Sequence, residues 1–264
     1  LLELMEDTSA MDLPAGVWFA ATVGEEGLGN LKGMRQLVKS FPASHTVYIV
    51  LEGMALGTIY HRALPIRRLR LAVKTAGGHS WVQSGELSAV HELVRISERI
   101  LNIPLPGRPR TTLNIGTFHG GTSINTRADS ALLEMDLRSE DEQKLNQLEK
   151  KIREVVRSSI REKAAADLEE IGNRPGGSIP EDHPLVQAAR DAYRKQAISP
   201  INLQIGSTDA SIPLSMGLPA VCVGLTQGGG AHSDGEFIRI PPMPAGYAAV
   251  LDLIQSAALL ACRI

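Results

Sequence analysis

The chain has 264 residues, 43% of them hydrophobic and 21% charged, with a formal net charge of −2. That apolar content suffices for one or two cores of ordinary size. Charges of both signs are interspersed, which leaves no basic footprint for nucleic acid or an anionic membrane surface, so the expected partners are small molecules or a second copy of the chain. No apolar run reaches the roughly eighteen residues of a membrane helix, and no signal-peptide pattern opens the sequence. Two cysteines, Cys222 and Cys262, read as small core residues and favour a cytoplasmic location.

Leu1 to Glu6 resembles the last turns of an amphipathic helix rather than a beginning, so residues upstream are expected to have been lost or left out. The apolar run Val17 to Val23 is expected to be a buried strand of a parallel sheet, closed by Gly24-Glu25-Glu26-Gly27-Leu28-Gly29 and followed by a helix from Asn30 to Lys39. A second strand, Thr46 to Leu51, ends at Glu52. From Ile66 the pattern changes: Leu69, Leu71 and Val73 alternate with Arg68, Arg70 and Lys74, the period of a strand with one wet face. A helix with Val90, Leu93, Val94, Ser97 and Leu101 inward follows, then strands at Thr111 to Phe118 and Ala131 to Arg138. Ser139-x-x-Glu142 reads as a capping box opening a helix with Leu145, Leu148, Ile152, Val155 and Ile160 on its apolar face, and a strand near Asp167 to Asn173 closes a β-α-β-β-α-β order, the ferredoxin-like arrangement.

Arg174-Pro175-Gly176-Gly177 is the expected hinge back to the first domain. Beyond it the sequence predicts a helix from Pro184 to Lys195, a strand at Asn202 to Gln204, a helix near Ser207 to Asp209, the strand Ala220 to Gly224, and a last helix from Ala245 to Ala261. The domains are therefore expected to be residues 1–64 with 176–264, discontinuous, and an inserted unit of residues 65–175.

Adjacent carboxylates such as Glu25 and Glu26 repel each other unless a proton or cation intervenes, so one can ligate a metal while the other serves as a base. The ordinary alternative is an acidic helix start favoured by the helix dipole. His232 follows the glycines Gly228 to Gly230 just past a buried strand, where a neutral imidazole is a good zinc ligand and glycine lets a substrate come close to the backbone. His45, His61, His91, His119 and His183 lack such a setting and read as structural or solvent-facing.

Glu25-Glu26, Glu52 and Gly230-Ala231-His232-Ser233, in this order around an intervening small domain, resemble the M20 family of dinuclear zinc aminoacylases and peptidases. Gly77-Gly78-His79-Ser80, Gly120 to Asn125, Asp136-Leu137-Arg138 and Ser207 to Ala210 extend the resemblance over nearly the whole chain. It implies a three-layer α/β catalytic domain, incomplete at its N-terminus, with an inserted α+β ferredoxin-like lid and dimerisation domain, and hydrolysis of amide bonds in peptides or N-acyl amino acids. Glu25 would be the general base, Glu26, Glu52 and His232 metal ligands, and His79 the stabiliser of the oxyanion, reaching a second subunit. Asn125, Arg138 and the loop Gly228, Gly229 and Gly230 would bind the substrate. The implied cofactor is a pair of Zn2+ ions, with Co2+ or Mn2+ as substitutes, and the implied assembly a homodimer through residues 65–175. The family's His-x-Asp motif and bridging Asp precede Glu25 and have no counterpart here. The chain alone is therefore expected to hold metal partially or not at all and to be inactive. The alternatives are a shortened, non-catalytic relative that self-associates, or an amino-acid-binding module.

Overall fold

A computed structural model describes residues 1–41 and 43–263. The chain divides into two compact units, Leu1–Leu64 with Pro175–Ile264 and Pro65–Arg174, each with its own hydrophobic core. The first unit opens with α1 (Leu2–Ser9), a 3-10 turn (Gly27–Gly29), α2 (Lys32–Lys39), β1 (Tyr48–Glu52) and β2 (Thr58–Ala63). The second unit holds β3 (Ile66–Lys74), β4 (Gly78–His79), α3 (Ala89–Leu101), β5 (Thr111–Gly120), β6 (Thr126–Arg127), β7 (Ser130–Ser139), α4 (Glu142–Ser159) and β8 (Ala165–Arg174). The chain then returns to the first unit with β9 (Gly177–Ser178), α5 (Pro184–Lys195), β10 (Asn202–Gly206), α6 (Ser211–Ser215), β11 (Ala220–Gly224), β12 (Gly228–Gly229), β13 (Phe237–Ile238) and α7 (Met243–Ala261).

The main sheet of the first unit is mixed, in the order β1-β11-β2-β10, with β9 added to β2. β1 runs parallel to β11, which is antiparallel to β2, and β10 is parallel to β2. All five residues of β11 are buried, so both faces of the sheet are covered there, the condition of a three-layer α/β fold. α5 packs on α7 and reaches β11 and β2, whereas α6 packs on β2 and α2. Tyr193 of α5 is buried and its hydroxyl meets the backbone N–H and C=O of Gly224, tying the helix to the end of β11; burial pushes its phenol up to about 12.

The run from Val17 to Val23 differs from its sequence reading. It is extended but has no strand partner among the described residues, and Trp18 and Val23 are exposed while Val17 and Phe19 rest on the core. Its side chains alternate between the core and solvent, so it covers the unit's surface instead of filling a central strand. β2, unread in the sequence, lies inside the sheet: His61 interrupts its apolar pattern, yet it is buried because its Nδ1 hydrogen-bonds the Ile179 carbonyl at 2.7 Å.

α7 also departs from the reading, since by length and composition alone it could cross a membrane. Here Ala249, Val250, Leu253, Ile254, Ala257 and Ala258 face the core of the first unit. Cys222 is buried as expected, but Cys262, beyond the last turn of α7, is exposed.

The second unit is an antiparallel sheet in the order β5-β7-β3-β8, the ferredoxin-like order. Leu69, Leu71, Val73, Leu133, Met135 and Leu137 form a buried layer with α3 and α4, while the opposite face carries cross-strand pairs of Arg68 with Asp136 at 3.1 Å and Arg70 with Glu134 at 2.7 Å. The inward stripe of α3 is Ala89, Leu93, Ile96 and Ile100; Val94 and Leu101, expected inside, are exposed because the helix is rotated by part of a turn from the reading. α4 is capped by Asp141, whose carboxylate accepts the Lys144 N–H at 2.9 Å, and not by Ser139. Ser139 is fully buried and shares a hydrogen bond with Thr111 at 2.9 Å, which commits its hydroxyl to the sheet.

Candidate active site

In the first unit the acidic loop 24–29 is built by close backbone contact. Leu31 N–H reaches the Gly24 carbonyl at 2.8 Å and Gly33 N–H the Val23 carbonyl at 2.9 Å. A Cβ on Gly29 would lie 2.5 Å from Gly24 Cα, so the loop closes only with glycine there. Glu25 on this loop is half-buried and Glu26 exposed.

His232 lies across from the loop, its Nδ1 3.9 Å from Glu26 Oε2. Its backbone is left-handed, with φ of 62°, and its N–H donates to Glu236 Oε2 at 3.0 Å. Glu236 thus holds the turn that presents the imidazole, a role the sequence reading missed although Glu236 stands four residues after His232.

Glu52 ends β1 beside Gly224 of β11, and its carbonyl accepts the Leu225 N–H at 2.9 Å. Burial pushes its carboxyl up, and the negative charges of Glu25, Glu26 and Asp209 push it further in the same direction. The three glutamates therefore share one electrostatic neighbourhood with His232 at its open side. Asp209, also unassigned by the sequence reading, is 4% exposed and accepts a hydrogen bond from the Thr22 hydroxyl.

Two donors about 2.0–2.1 Å from a tetrahedral zinc stand about 3.4 Å apart, so Glu26 and His232 fit one edge of such a site after a small side-chain movement. Among the described residues no group of three or more His, Cys, Asp or Glu side chains could hold a metal ion.

The glycine loop serves the protein's own packing. Gly228 and Gly229 pair with Ile238 and Phe237, and a Cβ on Gly228 would lie 2.5 Å from Met54 Cγ and the Phe237 carbonyl. A side chain at position 228 would therefore find its space taken by those residues. Gly230 adopts φ of +70°.

The second unit brings His79 and Asn125 together. His79 pairs with Thr126 in the β4–β6 ribbon, and the Asn125 carbonyl accepts the Ser80 N–H at 2.9 Å. His79 Nδ1 accepts the backbone N–H groups of Trp81 and Val82 at 3.2 and 3.4 Å. In the neutral ring this places the proton on Nε2, which becomes a donor. Asn125 Oδ1 accepts the Ser123 hydroxyl at 2.7 Å.

Arg138 does not join them. It pairs with Ile66 at the far end of the sheet, eight residues along β7 from Ser130, or about 26 Å at strand rise. Its Nε donates to Asp136 Oδ1 at 2.6 Å. Within one copy of the chain the length of β7 therefore separates Arg138 from the end of the sheet that Asn125 precedes.

With this geometry in view, the fold defines a class: a mixed α/β domain carrying an acidic, histidine-edged mouth, with a ferredoxin-like domain inserted into it. Residues 66–164 match the family model described as the M20 peptidase dimerisation domain. The chain is 28% identical over 255 residues to the uncharacterized protein YqjE of Bacillus subtilis, covering 91% of this chain and 64% of that protein. Among solved structures, a tripeptidase from Staphylococcus aureus superposes with a TM-score of 0.79 at 26% identity, over 98% of this chain and 69% of that one. The aminopeptidase PepT from Bacillus cereus gives 0.73 at 23%, over 97% and 68%, a likeness of fold. The chain thus spans about two thirds of the length of these relatives. These matches give the chain an inserted peptidase dimerisation domain and the fold of these peptidases.

Proposed function

We propose that the chain is the larger part of a zinc-dependent hydrolase of amide bonds in peptides or N-acyl amino acids. The observation that carries this reading is the approach of His232 to Glu26 at 3.9 Å beside Glu52, whose carboxyl responds to both Glu25 and Glu26. Glu26 and His232 would hold one metal ion and Glu52 would belong to a second. When bound, the metal supplies an acidified water and a polarised scissile carbonyl. Glu25 takes the proton of the attacking water and passes it to the leaving amine. His79, with its proton on Nε2, donates to the oxyanion from a second copy of the chain, and Asn125 beside it binds the substrate's polar end. Arg138, held by Asp136, would offer a carboxylate its remaining guanidinium donors.

The similarity to a tripeptidase favours short peptides within this substrate class. With two protein ligands where catalytic zinc usually has three, the 264-residue chain on its own binds zinc weakly and turns over little. The test is hydrolysis of a tripeptide and of an N-acyl amino acid by the zinc-loaded protein that contains this chain. Chelation is expected to abolish it, and Glu25→Gln to lower kcat by about 10²-fold or more. Turnover unchanged by both treatments would reject the reading.

A further inference from the structure

The acidic loop poses a mechanical problem. Residues 17–25 carry Glu25 at their end, yet no strand pairs with them among the described residues. The backbone bonds of Val23 and Gly24 go to Gly33 and Leu31, close in sequence, so they shape the loop without locating it on the sheet. The Thr22 hydroxyl does reach the core: it donates to Asp209 Oδ2, a contact that spans 187 residues of sequence.

Asp209 is a firm anchor. Its carbonyl accepts the Ile212 N–H at 3.3 Å, and the preceding Thr208 accepts the N–H groups of Ser211 and Ala210. The residues that follow, from Ala210 to Leu214, are all buried. Asp209 is itself buried, so the fold keeps a carboxylate in its interior where Thr22 meets it. Burying a charge in such surroundings is unfavourable, and an amide or hydroxyl could fill the same space.

We infer that Asp209, acting through the Thr22 hydroxyl, is a positioning residue that sets Glu25 and Glu26 against Glu52 and His232. The inference rests on the reading of this cluster as a metal-assisted site. A hydrogen bond from Thr22, three residues before Glu25, fixes the loop in the way that outer partners orient metal ligands.

The test compares Thr22→Val, Thr22→Ser and Asp209→Asn in the protein that contains this chain by two measurements: zinc affinity by calorimetry with zinc alone, and backbone hydrogen exchange of residues 22–31 against β11. Thr22→Val is expected to weaken zinc binding by about tenfold, the low end for loss of an outer-shell partner, and to speed exchange in residues 22–31 while β11 is unchanged. Thr22→Ser, which keeps the hydroxyl, restores both to the wild-type value. Asp209→Asn keeps an acceptor oxygen and falls between them. Unchanged affinity and exchange in Thr22→Val would overturn the inference. So would exchange that rises equally in β11 with no rescue by serine, since the contact would then serve stability alone. A wild-type protein containing this chain that binds no zinc would count against the proposed function, while the exchange measurements would still decide whether Thr22 and Asp209 hold the loop.

Discussion

Glu92 is a fully buried carboxylate on the inner side of α3, which makes it an informative residue for stability. Burial alone would push its carboxyl up, but hydrogen bonds from Arg161 and from Arg95, the latter at 2.7 Å, bring it below the usual carboxylate range. A carboxyl lowered in the folded state contributes stability above its unfolded value and loses that contribution as pH falls through the folded value. Glu92→Gln is therefore expected to cost roughly 3 kcal/mol at neutral pH, the low end for a broken buried pair because both arginines reach solvent. Denaturant titrations at several pH values check this: the gap between wild type and variant should close below about pH 4. A gap constant down to acid would mean that the charge is not what matters. Glu92 carried no signal in the sequence, where it reads as one more acidic residue among apolar helix positions, because its partner Arg161 lies 69 residues away.

At the scale of elements, sequence reading worked where local forces decide. α5 runs from Pro184 to Lys195 as read, since proline suits the first turn and His183 Nδ1 accepts the Leu185 N–H at 3.1 Å as a cap. β11 and the paired strands β3 and β7 were likewise legible from apolar runs and alternation. The reading failed at the start of α4, where Ser139 and Asp141 compete for one role. Both side chains can cap, and only the sheet contact to Thr111 removes Ser139 from the contest. Asp141→Ala is accordingly expected to lower stability by about 1 kcal/mol, measured by thermal or denaturant unfolding. A negligible loss would show that the Lys144 N–H is served equally well by water.

For the whole molecule, the matched dimerisation domain argues for self-association through residues 66–164. β5 and β8 are the outer strands of that unit's sheet, and an outer strand presents unpaired backbone groups suited to pairing with another chain. Light scattering coupled to size exclusion is expected to give twice 28.4 kDa at micromolar concentration, and a monomer at high concentration would count against both the dimer and a role for His79 in a second copy.

What the residues determined by themselves was the type of domain and the inventory of chemistry: periodicity and turn residues act over a few positions, and they marked β3 to β8 as a ferredoxin-like insertion and Glu25, Glu26, Glu52 and His232 as the side chains to watch. Tertiary structure decided what depends on distance through space. It turned Val17 to Val23 from an expected buried strand into a surface run, brought His232 to Glu26, separated Arg138 from Asn125 by the length of a strand, and introduced Asp209 and Glu236 as supports. Those outcomes rest on contacts between residues remote in sequence or on a shared sheet register, and no local pattern encodes them.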